Sequence, residues 1–382
     1  MNTLEELRRS VDDNNNALLE LIQERGRLVC QIRAVKEQLG LPMHDPRRQQ
    51  EMIDELVASN TGPYPARTIR KLFTEIHNAS VALMEERAES ELIVGRTRGR
   101  GDHVVEVAGQ AIGTKPFYIA GPCAVESFDQ LDRTAAGLAA QGVRLLRAGA
   151  FKPRTSPYSF QGLGLGGLRI LREVGDRYHM GIVSEVVDPR LVEEVADIVD
   201  VLQVGCRNMF SYELLKEAGR THKPVLLKRS FSATIDEWLQ AAEYIALQGN
   251  EDVILCERGI RTFERRTRNT LDISAVPLVR SMSRLPVVVD VSHAAGRRDL
   301  LPALSRAAFA AGAHGVMIEV HHNPAVARSD AEQQLSLAEF AELMAEVADW
   351  VPCAPKPLRR PSDANMIPVP VESGAVSEEA VQ

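Results

Sequence analysis

Four side chains, far apart in a chain of 382 residues, have the types to hold one metal ion: Cys123, His293, Glu319 and Asp330. They offer one soft, one borderline and two hard donors. That mixture suits Mn2+, Fe2+, Co2+ or Zn2+ and is a poor choice for Mg2+. Taken alone, Cys123 reads more readily as a buried inert thiol, and His293 as a hydrogen-bonded core histidine. The combination is what favours a metal. A second set is cationic: Arg147, Lys152, Arg207, Lys228 and Arg258. Convergent guanidinium and ammonium groups without a P-loop point to a small, multiply anionic substrate. Lys152 opens the run Lys-Pro-Arg-Thr-Ser-Pro, stiffened by two prolines. In it Arg154 and the hydroxyls of Thr155 and Ser156 make a second phosphate site.

Elements of one kind would bring these groups together. From Phe117 onward, apolar runs rich in Val, Ile and Leu fall at 117–121, 145–149, 181–186, 201–205, 224–229, 252–257, 286–292 and 315–321. Helical patterns separate them, among them Asp129–Gln141, Asp188–Val199, Ile235–Leu247 and Pro302–Ala311. Eight βα units in about 230 residues predict a (β/α)8 TIM barrel, whose chemistry lies where the strands end. The strand ends here carry Cys123, Arg147, Glu185, Arg207, Lys228, Arg258, Asp290 with His293, and Glu319. Random surface charge would not gather at one end of successive apolar strands.

The N-terminal region follows a different period. Leu4, Leu7, Val11, Asn14, Leu18, Leu21, Arg25, Leu28, Ile32, Val35 and Leu39 alternate at spacings of three and four, and all but Asn14 and Arg25 are apolar. This predicts one long helix over 4–39 with a stripe that packs against a second copy. Two more helices are expected at Pro46–Ala58 and Pro65–Leu92, each with a proline in its first turn. Arg25 sits on the apolar stripe, and Lys36 falls within about 20° of its face. A cation there is either a side chain snorkelling at the helix edge or part of a carboxylate-binding pocket.

Glycine-rich sequence around 96–115 is read as a linker with a short strand pair, so the domains are expected at 1–95 and 116–350. Prolines and few large apolar residues mark 351–382 as a disordered tail. With 45% hydrophobic and 25% charged residues, the chain is of soluble, globular composition. Its net charge of −7, with Lys and Arg scattered, argues against a nucleic-acid surface. No apolar run reaches the ~20 residues of a membrane span, and the N-terminus carries no signal-peptide pattern. Five widely spaced cysteines form no disulfide framework, so a reducing cytoplasm is expected.

Two family resemblances follow from these motifs. GPCAVES (121–127), KPRTSP (152–157), GCRNM (205–209), LLKR (226–229), CERG (256–259), DVSH (290–293) and IEVH (318–321) resemble 3-deoxy-D-arabino-heptulosonate 7-phosphate (DAHP) synthase. The likeness is to the shorter type I beta subgroup, related to 3-deoxy-octulosonate 8-phosphate synthase. It implies condensation of phosphoenolpyruvate with erythrose 4-phosphate at the entry to aromatic amino-acid synthesis. It also implies Cys123, His293, Glu319 and Asp330 as metal ligands, with Mn2+ foremost. Arg147, Lys152, Glu185, Arg207, Lys228 and Arg258 would form the phosphoenolpyruvate site, and Arg154, Thr155 and Ser156 would hold erythrose 4-phosphate. Lys152 and His293 would carry protons, and Glu185 would act electrostatically. The octulosonate relatives usually carry Lys-Ala-Asn-Arg-Thr-Ser, and the shorter loop here favours the four-carbon aldose.

Residues 1 to about 90 resemble the all-helical chorismate mutases, which are intertwined dimers. The residues that carry this likeness are Arg8, Arg25, Lys36, Asp45, Arg48 and Ser80. The family usually has Glu where this chain has Gln49, and a Gln or Glu where it has Met84. A thioether is a poor hydrogen-bond partner for the ether oxygen of chorismate. The resemblance therefore implies a domain that binds chorismate or prephenate as a feedback signal, in a homodimer or homotetramer. A bifunctional synthase–mutase and a non-catalytic dimerisation module are the alternatives.

Overall fold

The computed structural model describes residues 3–39, 41, 45–89, 92–96, 100–152 and 158–351. Arg154, Thr155, Ser156 and the tail beyond Val351 lie outside the described residues. The chain divides into two compact units, Met1–Gly99 and Arg100–Gln382.

The first unit consists of α1 (Leu4–Leu39), α2 (Pro46–Ala58) and α3 (Ala66–Glu89). Thr3 and Glu6 form a reciprocal cap at the start of α1, each side chain accepting from the other's backbone N–H. Asp45 caps α2 by accepting from the Arg48 N–H at 3.1 Å, and Pro46 follows as the first helical residue. The 36 residues of α1 span roughly 54 Å. α3 packs against both other helices, and Val29, Ile53, Ser80 and Met84 are buried. Most of the predicted stripe on α1 stays bare in the single chain: Leu21 is 67% and Leu39 65% exposed.

The second unit opens with a hairpin, β1 (Val105–Val107) and β2 (Gln110–Ile112). Its two turn residues, Ala108 and Gly109, both have positive φ, the type I′ geometry that suits a two-residue hairpin. Eight parallel strands follow: β3 (Phe117–Gly121), β4 (Leu145–Arg147), β5 (Gly181–Val186), β6 (Val201–Val204), β7 (Val225–Lys228), β8 (Val253–Glu257), β9 (Val287–Asp290) and β10 (Gly315–Glu319). They close into a barrel when β10 pairs with β3. Helices such as Phe128–Ala140 and Ile235–Ala246 cover the outside, so most strand residues are buried whichever way they point.

The hairpin seals one end of the barrel. Val105, Val107 and Ile112 are buried against residues near the strand starts, including Ile119, Leu145 and Val201. Ile112→Ala is expected to destabilise the barrel by about 2–5 kcal/mol through the cavity it leaves. Thermal unfolding of the full chain checks this. With that end filled, the strand C-termini form the open mouth.

Three strands end two residues short of the sequence reading, at Arg147, Asp290 and Glu319. The seventh strand ends at Asp290 and does not run to residue 292, because Asp290 turns to cap a short helix, Val291–Ala295. The expected helix over Asp188–Val199 begins as a 3-10 turn, Pro189–Leu191, and becomes helical at Val192–Ile198.

Candidate active site and metal centre

A cavity of about 360 Å3 opens at the mouth of the barrel. Cys123, Arg147, Lys152, Glu185, Arg207, Lys228, Arg258, His293 and Asp330 all line it. Glu319 lies beneath, fully buried at the end of β10. Each of the expected barrel-site residues that is described therefore comes to this one place.

The candidate metal donors are held by the strand ends and by one strained loop. Gly121 ends β3 so close to β4 that a Cβ on it would lie 2.1 Å from the Arg147 carbonyl oxygen, so only glycine fits. Cys123 follows, 2% exposed. Its Sγ lies 3.4 Å from Asp330 Oδ2 and 3.2 Å from Lys152 Nζ. Donor atoms of Cys123, Glu319 and Asp330 fall within 4.8 Å of one another. His293 adds Nε2 at 3.4 Å from Glu319 Oε1 and 4.0 Å from Asp330 Oδ2. Asp330 adopts φ 51°, a left-handed conformation that costs a non-glycine residue about 1–3 kcal/mol.

Charge in the site is balanced by specific partners. Glu319 Oε1 accepts from Arg147 Nη1 at 2.6 Å. Burial would raise the Glu319 carboxyl, but His293, Arg147 and Lys152 override it and hold it below the usual range. Burial lowers His293, against the pull of Asp290 and Glu319. Its Nδ1–H donates to Asp290 Oδ2 at 2.7 Å, which leaves the Nε2 lone pair facing the carboxylates. Burial, with Glu319 behind it, pushes the Cys123 thiol up to about 12. A thiol in that setting ionises when a cation offsets the cost of its charge. The donors fit a divalent ion of intermediate softness: one sulfur and two carboxylates gathered within 4.8 Å, with the His293 Nε2 beside both carboxylates.

The cations are also fixed. Buried Lys228 pairs with Asp290 Oδ2. Arg258 and Arg207 stand over the Phe231 ring, 4.7 and 5.6 Å from its centre. Glu185 reaches the cavity above Gly205, where a Cβ would come 1.9 Å from Glu185 Oε1. Glu257, at the end of β8, is fully buried and already engaged by Arg229 and the Gly259 N–H.

Several residues with roles here were not singled out from the sequence. Asp290 was visible only as one more strand-end charge. Arg268, which donates to Asp330 Oδ2 at 3.3 Å, lies in a loop with four other arginines and has no distinguishing spacing. Phe231, Gln333 and Gln334 carried no signal at all.

In the helical unit a second cavity is lined by Ile22, Arg25, Gly26, Glu75, Ile76, Ser80 and Leu83, among others. Arg25 Nε donates to Ser80 Oγ at 3.3 Å. The structure thus joins two of the six residues expected there. Arg8, Asp45 and Arg48 are exposed, Lys36 is half-buried, and none of the four lines this cavity.

Residues 103–351 match the DAHP synthetase I family, and residues 7–85 match chorismate mutase type II. A curated relative, phospho-2-dehydro-3-deoxyheptonate aldolase of Thermotoga maritima, is 53% identical over 256 residues, covering 67% of this chain and 76% of the relative. A 2-dehydro-3-deoxyphosphooctonate aldolase of Syntrophobacter fumaroxidans is 32% identical over 263 residues, covering 64% of this chain and 90% of that one. The crystal structure of the Thermotoga maritima DAHP synthase superimposes with a TM-score of 0.65 at 52% identity, over 67% of this chain and 76% of that one. This chain belongs to the DAHP synthetase I family and carries a chorismate mutase type II domain ahead of its barrel.

Proposed function

We propose that the barrel condenses phosphoenolpyruvate with D-erythrose 4-phosphate to give DAHP and phosphate, with a divalent metal, Mn2+ foremost, held by Cys123, His293, Glu319 and Asp330. One observation supports this reading: a thiol, an imidazole and a carboxylate, with the buried Glu319 carboxylate beneath them, meet at a mouth ringed by Arg147, Lys152, Arg207, Lys228 and Arg258. When bound, the metal supplies Lewis-acid polarisation of the aldehyde oxygen. The cations hold the phosphate and carboxylate of phosphoenolpyruvate, and Arg154, Thr155 and Ser156 hold the aldose phosphate. C3 of phosphoenolpyruvate bonds to the aldehyde carbon, and the positive charge that develops at C2 is stabilised by Glu185. Water adds at C2 and phosphate leaves from the resulting hemiketal. His293 cannot serve as ligand and proton carrier through the same Nε2. Its Nδ1–H is committed to Asp290, so the ligand role fits it, and Lys152 gives the proton that the aldehyde oxygen gains and takes back the one that the attacking water loses.

The test strips metal with EDTA and offers phosphoenolpyruvate with erythrose 4-phosphate or arabinose 5-phosphate. Turnover with the four-carbon aldose, lost on stripping and restored by Mn2+, is expected. Turnover with arabinose 5-phosphate alone, or none that depends on metal, overturns the proposal. Gly205→Ala bears on Glu185, since the added methyl displaces its carboxylate. Turnover is expected to fall about a hundredfold with the circular dichroism spectrum unchanged.

The N-terminal unit is assigned to feedback sensing, with residues 1–95 as sensor and 116–350 as synthase. The Arg25–Ser80 cavity supports binding of a carboxylate such as chorismate or prephenate. The bare stripe of α1 supports a homodimer, or a homotetramer built from it. Buried Met84 and half-buried Gln49 favour sensing over mutase turnover. Prephenate or chorismate is expected to slow the full-length synthase and to leave a chain starting at residue 100 unaffected. Steady-state kinetics on both chains decides, and equal inhibition of the two rejects the assignment. Among the described residues no helix is long and apolar enough to cross a membrane. With the scattered cysteines, the proposed setting is the cytoplasm.

A further inference from the structure

The loop that delivers Asp330 returns to the barrel at Leu335, whose N–H bonds the Glu319 carbonyl and whose carbonyl accepts from the His321 N–H. Two adjacent glutamines sit just before this junction, both almost fully buried. Gln334 Oε1 accepts from the Cys123 N–H at 2.9 Å, while its Nε2 donates to the Ser329 carbonyl at 2.7 Å. Gln333 Nε2 donates to Glu319 Oε2 at 2.5 Å and to Asp330 Oδ2 at 3.4 Å, and its Oε1 accepts from Arg268 Nη1 at 2.9 Å. The orientation of each amide is chemically forced. An N–H group can only donate and a carboxylate or carbonyl only accept, so a flipped amide would set like against like.

We infer that Gln333 and Gln334 are positioning residues that pre-assemble the metal centre, Gln333 aiming the two carboxylates and Gln334 fastening the Cys123 segment to the Asp330 loop. Arg147 holds one oxygen of Glu319 and Gln333 holds the other, so the carboxylate cannot rotate. Asp330 would relax from its left-handed backbone without a restraint on either side, and the bond from Gln334 to the neighbouring Ser329 supplies one. Partners of this kind orient ligands and raise metal affinity without touching the ion.

This inference rests on the metal reading above, and the test separates the two. Mn2+ alone, without substrate, is titrated by equilibrium dialysis into metal-stripped full-length protein and into Gln333→Met and Gln334→Met, which keep volume and remove both polar ends. The dissociation constant is expected to rise tenfold to a hundredfold in each variant. A merely structural role would lower the melting temperature and leave the dissociation constant of the folded protein unchanged. If Gln333→Met fails to fold, Gln333→Asn keeps the amide on a shorter stem and is read the same way. Variants within twofold of wild type overturn the positioning role. Wild-type protein that takes up no Mn2+ overturns the metal reading itself.

Discussion

Cys123→Ala is expected to lower synthase turnover about a thousandfold and to strip the protein of tightly held metal. The sulfur is the soft donor in a set otherwise made of imidazole and carboxylates. Losing it removes one ligand and the charge a thiolate would bring. Several kcal/mol of Lewis-acid stabilisation, at about 1.4 kcal/mol per tenfold, sets the size of the loss. The fold should survive, because Gln334 bonds the backbone N–H of residue 123, which alanine keeps. Metal analysis after gel filtration, alongside the synthase assay, separates loss of the ion from loss of structure.

Asp290→Asn is expected to damage both stability and chemistry. Every partner of this fully buried carboxylate is a donor: the His293 backbone N–H at Oδ1, and His293 Nδ1 with Lys228 Nζ at Oδ2. An amide must turn its NH2 towards one of those donors. Buried Lys228 also loses its counter-charge, a change that costs about 3–5 kcal/mol when one half of a buried pair is removed. His293 is freed to take the wrong tautomer, an effect that has cost about 10^4 in rate where a histidine–aspartate pair is altered in this way. Turnover is expected to fall by about 10^3 to 10^4 with a lower melting temperature. Differential scanning calorimetry and kinetics on the same preparation check both.

The barrel was legible because its strands are runs of Val, Ile and Leu bounded by turn residues. The start of α2 was legible because Pro46 opens it. The end of β9 was not, since Asp290 looks alike as a strand-end charge and as a helix cap, and only its bond to the His293 N–H distinguishes them. The hairpin's part in sealing the barrel was hidden too: two strands of three residues carry too little alternation to show that they meet the strand starts. At the site, charge and sulfur at strand ends pointed to the ligands. Gln333 and Gln334 escaped notice because neutral amides in a loop have no period, and their placement depends on the left-handed turn at Asp330. In the helical unit, face arithmetic singled out Arg25. Arg8, Asp45 and Arg48 are exposed and do not line the cavity that holds Arg25 and Ser80.

Cys123, His293, Glu319 and Asp330 are proposed to surround one ion on which turnover depends. Adding Co2+ to metal-stripped protein reports on the sulfur, since a thiolate bound to cobalt gives a charge-transfer absorption that carboxylate and imidazole ligands do not. The band is expected to grow to one equivalent per chain, to rise in step with recovered synthase turnover, and to be absent from Cys123→Ala. Full turnover without the band, or a band of equal strength in Cys123→Ala, would contradict the proposal.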